Sequence, residues 1–128
     1  MLDHIGFSVS NMKVSRIFYE KSLKPLGLAP VMEVTPEMTG TSDSHVGFGS
    51  DRPFFWIGTG GEPATGIHVA FAAQNRKTVD EFHAAALAAG GRDNGKPGLR
   101  PHYPEKCYGA FVLDPDGNNI EAVCHAAE

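Results

Sequence analysis

Two histidines and one glutamate have the residue types and the sequence positions of a metal site. His4 and His68 each begin a short apolar stretch, "HIGFSV" and "HVAFAA". Glu121 is the single charge within a third apolar stretch, "NIEAVC", where an unpaired carboxylate would be costly to bury. Two neutral imidazoles and one carboxylate suit a divalent cation that keeps positions open for water or substrate.

An internal repeat relates the two histidines. Residues 4–27 align with residues 68–91 at a constant shift of 64, with seven identities in 24 positions and no gap. Because such self-similarity indicates a duplicated structural unit, we predict two modules, roughly 1–60 and 66–125, within a single domain covering 1–128.

Each module shows the pattern of a strand followed by a capped helix. An asparagine that can cap a helix, Asn11 or Asn75, follows the first strand. Apolar residues then recur at a helical period until glycines end the pattern at Gly27 and at Gly90. The apolar helix positions are Val14, Ile17 and Phe18 in the first module, and Val79, Phe82, Ala86 and Leu87 in the second.

The remaining strands complete two βαβββ units. They are predicted at 30–35, 44–49 and 53–58, and at 108–114 and 118–124. The last two form a hairpin over Asp114-Pro115-Asp116-Gly117, in which Pro and Gly suit the second and fourth turn positions. The stretch 91–106 is rich in Gly and Pro, which indicates an irregular strand and a long loop. The predicted fold class is α+β, with helices outside two curved, mainly antiparallel sheets.

Strand alternation can place the three metal-site candidates on one surface. In both first strands, the face led by histidine otherwise carries very small residues, which leave open space beside the imidazole. Glu121 shares a face with Asn119 and Val123. If that face is concave, Glu121 points into the same space as both histidines. The small-residue faces are His4, Gly6 and Ser8, and His68, Ala70 and Ala72.

With these motifs in place, the sequence resembles the vicinal oxygen chelate superfamily, which contains glyoxalase I, extradiol dioxygenases, fosfomycin-resistance proteins and bleomycin-binding proteins. "DHIGFSVSNMKVSRIFYEKSLKPLGL" resembles the opening of its first module, and "FVLDPDGNNIEAV" resembles its closing hairpin. The resemblance implies paired βαβββ modules around a cleft and one metal to which vicinal substrate oxygens bind. His4, His68 and Glu121 match its metal-ligand positions.

One strand departs from the pattern of glyoxalase I. The shift of 64 maps Glu121 onto Ile57, in "FFWIG", a strand where glyoxalase I-like members carry a carboxylate ligand. No residue of this stretch can ligate a metal. What remains is the 2-His-1-carboxylate set of the dioxygenase-like members and of some antibiotic-modifying members.

Several further residues are candidates for the walls of the site. Trp56 and Phe55 could form an apolar wall, or they could be ordinary core aromatics. The loop "LRPHYPEKCYG" could clamp an anion or donate protons, or it could be a solvated loop. Beside Glu121, Tyr108 and His102 are the candidates for catalysis. The candidate pocket residues are Trp56, Phe55, His45, Arg100 and Tyr103. His83 and Asp116 are predicted to be structural.

Composition excludes some classes of partner. A net charge of −4 gives no basic surface for nucleic acid. No apolar run reaches the length of about 18 residues that spans a membrane. Two cysteines without metal or disulfide spacing favour a cytoplasmic protein.

One possible function is a metal-dependent enzyme that acts on small molecules, of the dioxygenase or the glyoxalase-like lyase type. It would hold one Fe²⁺, Mn²⁺, Zn²⁺ or Ni²⁺ ion, and the sequence does not distinguish these ions. The second is a metal-free binding module, like the bleomycin-sequestering members. The third is a domain that has lost activity and only assembles with partners. The resemblance also implies a homodimer, and the exposed sheet edges of two modules agree with that.

Overall fold

The computed structural model describes residues 1–101 and 107–125. The strands are β1 (Ile5–Ser8), β2 (Ala29–Val34), β3 (His45–Gly49), β4 (Pro53–Gly58), β5 (His68–Ala72), β6 (Arg92–Leu99), β7 (Tyr108–Leu113) and β8 (Asn119–Cys124). The helices are α1 (Met12–Leu23), α2 (Pro36–Thr39) and α3 (Arg76–Ala88), and a 3₁₀ turn, Lys24–Leu26, follows α1.

The strands form two four-stranded sheets with the same topology. The N-terminal sheet has the order β1-β4-β3-β2, and the C-terminal sheet has the order β5-β8-β7-β6. In each sheet the first strand pairs in parallel with the last strand of its module, and the other pairs are antiparallel. The predicted α+β fold of two βαβββ modules with mainly antiparallel sheets is confirmed.

Both long helices begin at the predicted caps. The side-chain oxygen of Asn11 accepts a hydrogen bond from the Val14 amide at 3.1 Å. Asn75 caps α3 in the same way, accepting from the Thr78 amide at 2.8 Å. Each cap satisfies an amide that has no partner within its helix, which fixes where the helix starts.

The buried side of α1 differs from the predicted one. Phe18 is buried as expected, but Val14 and Ile17 are 47% and 44% exposed. Tyr19 is fully buried instead, with its ring 5.0 Å from that of Phe55. Since a helix with apolar residues on two adjacent sides can bury either one, the tertiary contacts of Tyr19 decide its orientation. The buried residues of α1 are Ser15, Phe18, Tyr19, Ser22 and Leu23.

Asp114 explains why Tyr19 turns inward. The Tyr19 hydroxyl donates to Asp114 Oδ2 at 2.5 Å. The other carboxylate oxygen, Oδ1, accepts from the amides of Asp116 and Asn118 at 2.9 and 2.8 Å. The Gly117 amide closes the predicted turn onto the Asp114 carbonyl at 3.0 Å. The β7–β8 turn of the second module is thereby joined to the helix of the first.

The helices cover one face of each sheet, and the opposite faces are left uncovered by them. α1 packs on β2 and β4, α3 packs on β6, β7 and β8, and the two helices contact each other. The core between them draws on both modules. We call the face of each sheet turned away from the helices its open face. No helix in the described parts of the chain is long and apolar enough to cross a membrane.

Strand β6 is irregular, as its Gly and Pro content predicts. Its pairing with β7 shifts register between Asp93 and Gly95 and again between Gly95 and Gly98. Asp93 also accepts a hydrogen bond from the ring of the buried His83 at 3.0 Å, which holds the pKa of that carboxyl well below its ordinary value. His83 therefore has the structural role predicted for it.

Candidate functional site

The charge of Glu121 is paired with His68. Glu121 Oε1 lies 2.8 Å from His68 Nε2. The two residues come from adjacent strands, since Ala70, two positions after His68, is directly opposite Glu121 in the β5–β8 ladder. The Glu121 side chain is only 6% exposed, whereas that of His68 is 49% exposed. The imidazole thus satisfies a nearly buried carboxylate and still faces solvent.

This pair has donor atoms suited to a divalent cation. A neutral imidazole nitrogen and a carboxylate oxygen are common ligands of first-row metals. Two ligands that bind one cation at right angles, each about 2.1 Å from it, are about 3 Å apart. The 2.8 Å separation of Nε2 and Oε1 is therefore close to that of two adjacent ligands of a metal.

An aromatic ring and a guanidinium border the pair. Phe111 is directly opposite Glu121 on β7, and its ring centre lies 6.1 Å from that of His68. The Arg100 guanidinium lies 5.1 Å from the centre of the Phe111 ring and donates to the Gly109 carbonyl at 2.8 Å. Arg100, a candidate pocket residue, thus lies near the pair, while Phe111 was not foreseen. The pairing of β7 with β8 was the only sequence signal that could have identified it.

His4 lies apart from this pair. Its Nδ1 is 2.7 Å from Asp3 Oδ2, and the Arg52 guanidinium donates to the other oxygen of Asp3 at 2.6 Å. The hydrogen bond with His4 and the nearby Arg52 charge lower the pKa of Asp3. Over residues 1–101 and 107–125, no group of three or more His, Cys, Asp or Glu side chains is placed to hold a metal.

The direction of the strands explains the separation of the histidines. After β1, the Ser10 amide donates to Asp116 in the β7–β8 turn at 3.1 Å. Strand β5 starts beside that turn, because His68 pairs with Asn119. The end of β1 therefore lies near the start of β5. His4 precedes β1 and His68 starts β5, so the two imidazoles lie at opposite ends of neighbouring strands.

A cleft separates β1 from β5 beside His4. Its volume is about 360 Å³, and it runs along residues 2–5 and 69–72. Phe55 forms part of its lining, but its side chain is fully buried and packs edge-to-face on Phe7 and Phe71. Phe55 is therefore mainly a core residue, the alternative left open by the sequence.

Strand pairing corrects the repeat alignment at Glu121. Glu121 is opposite Ala70, and the repeat counterpart of Ala70 is Gly6. Gly6 is opposite Trp56, so Trp56 is the structural counterpart of Glu121. The match with Ile57 was wrong: Ile57 is fully buried on the helix side of β4. The modules differ by one residue before their last strand, and a slip of one residue exchanges the two faces of a strand.

Trp56 and His45 both lie on the open face of the N-terminal sheet. Trp56 is opposite Gly47, and His45 is opposite Gly58, so the two side chains occupy neighbouring rows of the same face. Both are partly exposed. Two of the predicted pocket residues therefore share one surface, which is separate within the chain from the His68–Glu121 pair.

Tyr108 does not face Glu121. It is opposite Cys124, on the helix side of the C-terminal sheet. Its hydroxyl donates to Asp80 Oδ1 at 2.6 Å, and this hydrogen bond raises the pKa of Tyr108. The alternation of β7 places Gly109 and Phe111 on the open face instead. The candidates His102 and Tyr103 lie outside the described residues.

Comparison with known proteins agrees with this architecture. The sequence profile of the Glyoxalase/Bleomycin resistance protein/Dioxygenase superfamily matches residues 1–122. A glyoxalase/bleomycin resistance protein from Albidiferax ferrireducens T118 is 34% identical over 97% of this chain and 98% of that chain, with a TM-score of 0.81. No curated protein matches the sequence significantly.

More distant structures share the fold. Glyoxalase I from Zea mays is 17% identical over 99% of this chain and 45% of that chain, with a TM-score of 0.69. A glyoxalase/bleomycin resistance protein/dioxygenase family enzyme from Burkholderia phytofirmans PsJN is 14% identical over 97% of this chain and 98% of that chain, with a TM-score of 0.70. The profile match and the 34% identity together establish that the chain belongs to the glyoxalase/bleomycin resistance protein/dioxygenase superfamily.

Proposed function

We propose that this protein is a metal-dependent enzyme that acts on a small molecule through vicinal oxygens, with one divalent cation held by His68 and Glu121. The observation that carries the proposal is the 2.8 Å approach of the two donor atoms at an open face. A divalent cation bound there would supply Lewis acidity toward two adjacent substrate oxygens. Members of the superfamily commonly act on small molecules in this way.

The third ligand would be His4 of a second copy of the chain. Within one chain, His4 precedes β1 and His68 begins β5, and the two lie at opposite ends of these strands. A two-fold homodimer can bring the N-terminal sheet of one copy over the C-terminal sheet of the other, and the symmetry then creates two equal sites. Exposed apolar side chains on the open face of the N-terminal sheet support such a contact, since Met32 and Phe54 are 51% and 36% exposed.

The residues around the pair have distinct roles in this proposal. Glu121 supplies the carboxylate, and His68 supplies an imidazole nitrogen 2.8 Å from it, so both can face one cation. Arg100, held over Phe111, places a positive charge at the border of the site. That charge favours an anionic substrate, and the Phe111 ring excludes water from one side.

Metal content tests the proposal directly. The untagged protein is purified without chelators and analysed for metals by plasma mass spectrometry. We expect about one divalent ion per chain and its loss in Glu121→Gln, while the exposed Glu62→Gln serves as the matched control and retains the ion. Wild-type protein without stoichiometric metal, together with a His68→Ala variant that behaves as wild type, would contradict the proposal.

A second candidate is a metal-free binding protein, and the position of Trp56 favours it. An indole stands where the first module would need a second carboxylate, and the described part of one chain holds no three-ligand group. A thermal-shift screen with divalent metals and with glycopeptide antibiotics separates the two functions. Stabilisation by an antibiotic but by no metal would favour the binding protein.

A further inference from the structure

Trp56 is the one tryptophan of the chain, and glycines beneath it make room for its ring. A Cβ built on Gly47 would lie 2.7 Å from Pro53 Cβ and 2.9 Å from the indole atoms Cε2 and Cζ2. A Cβ on Gly6 would lie 2.9 Å from Trp56 Cβ. Neither glycine has a positive φ, so the backbone conformation at these positions does not require glycine. The space beside Trp56 requires it instead.

His45 is accommodated in the same way one row further along the sheet. Its ring lies against Gly58, where a Cβ would overlap Nδ1, and Gly58 also has no positive φ. No hydrogen bond engages the His45 ring within residues 1–101 and 107–125. The imidazole next to the indole can therefore donate to, or accept from, a bound molecule.

The surface formed around the two rings by β2, β3 and β4 is largely apolar. The side chains that share this open face on β2, β3 and β4 are apolar or small, apart from the His45 imidazole. A surface of this kind attracts a ligand through contact area and ring stacking rather than through ion pairing. The members are Met32, Val34, His45, Gly47, Phe54, Trp56 and Gly58.

We propose that Trp56 is a specificity-determining residue that selects ligands containing a planar aromatic ring, which stacks on the indole while a polar substituent meets His45. The inference rests on the proposed function for the location of the site, because a dimer brings this face over His68 and Glu121. It does not depend on the metal, since stacking needs only the indole and its glycine support. In the equivalent place of the C-terminal sheet, Glu121 offers a charge where Trp56 offers a ring.

An aromatic and a saturated diol test the inference, and because their hydroxyl groups also differ in acidity, the comparison with Trp56→Leu isolates the effect of the ring. Binding of 2,3-dihydroxynaphthalene and of the saturated decahydronaphthalene-2,3-diol is measured by calorimetry on the full chain, with EDTA and separately with Mn²⁺. Emission of the single tryptophan gives a second readout, corrected for absorbance by the probe. We expect wild type to prefer the aromatic diol by about tenfold or more in EDTA as well, with quenching of Trp56.

Three variants test whether the Trp56 ring causes the preference for the aromatic diol. Trp56→Leu should reduce it to less than about twofold, and Trp56→Phe should retain most of it, because a smaller ring still stacks. Gly47→Ala keeps the tryptophan but displaces its ring, so it should also weaken the preference, and it tests the inference even if Trp56→Leu fails to fold. Equal preference in wild type and Trp56→Leu, or none in wild type, overturns the inference.

The two proposals fail in different ways. A ring preference in wild-type protein that purifies without stoichiometric metal would support the role of Trp56 and contradict the metal-dependent function. Stoichiometric metal without any ring preference would support the metal-dependent function and contradict the role of Trp56.

Discussion

Trp56 and Glu121 occupy equivalent positions in the two sheets. Each lies on the last strand of its module, opposite a small residue of the first strand, Gly6 or Ala70. Each also projects from the open face of its sheet. The duplicated architecture therefore presents a carboxylate in one module and an indole in the other. Of these two equivalent positions, only that of Glu121 carries a carboxylate.

Glutamate substitutions on β4 test this equivalence. Trp56→Glu places a carboxylate on an open face and should cost about 1 kcal/mol of unfolding free energy. Ile57→Glu buries a charge in the core, where Ile57 is fully buried, and should cost more than about 3 kcal/mol. Urea unfolding of both variants measures the difference. Equal costs would show that the two residues do not face opposite sides of β4.

Mixed dimers test the shared metal site. His4→Ala and His68→Ala proteins should each lose the metal, because each variant damages both sites of a dimer. After the two are unfolded together and refolded, half of the dimers are mixed and each has one intact site, so about a quarter of the wild-type metal returns. Refolded single variants are the control. Native mass spectrometry shows whether mixed dimers have formed. If they have and the metal content does not recover, a site shared between copies is contradicted.

Because of Tyr19, we expect the stability of the protein to fall at alkaline pH. Burial, together with the Asp114 carboxylate, raises the pKa of Tyr19 well above its ordinary value of 10. In the unfolded chain Tyr19 ionises near pH 10. Above this pH the folded chain therefore holds one more proton than the unfolded chain. The stabilisation is complete below pH 10 and is lost as the pH rises further, by up to about 1.4 kcal/mol per pH unit.

Tyr19→Phe is the matched variant for that slope. It removes the ionising hydroxyl and leaves Asp114 without one hydrogen bond, so it should lower stability at neutral pH by about 1–3 kcal/mol. Urea unfolding between pH 8 and 11 compares the two proteins. Parallel stability curves above pH 10 would contradict the assignment, because Tyr19→Phe should lose less stability there than wild type.

A double-mutant cycle tests whether Gly58 leaves the space that the His45 ring occupies. Gly58→Ala should destabilise the protein by about 1–3 kcal/mol, because the new methyl group displaces the imidazole. In a His45→Ala background the same change should cost much less, which gives a coupling energy above about 0.5 kcal/mol. Additive effects in thermal or urea unfolding would indicate that the ring does not lie against Gly58.

Sequence alone determined the local elements of this protein. The asparagine caps and the Asp114–Gly117 turn act over a few residues, and each forms where it was predicted. The approach of Glu121 to the His68 face also followed from strand alternation and the repeat. These features depend on short-range geometry, which the order of residue types encodes directly.

Only the tertiary structure decided which faces meet. A one-residue difference between the modules moved the counterpart of Glu121 from Ile57 to Trp56, because side chains alternate at every residue of a strand. The Asp114 contact turned Tyr19 inward in place of Val14. The opposed directions of β1 and β5 separated His4 from His68. Each outcome depends on contacts between residues distant in the chain, which local patterns do not specify.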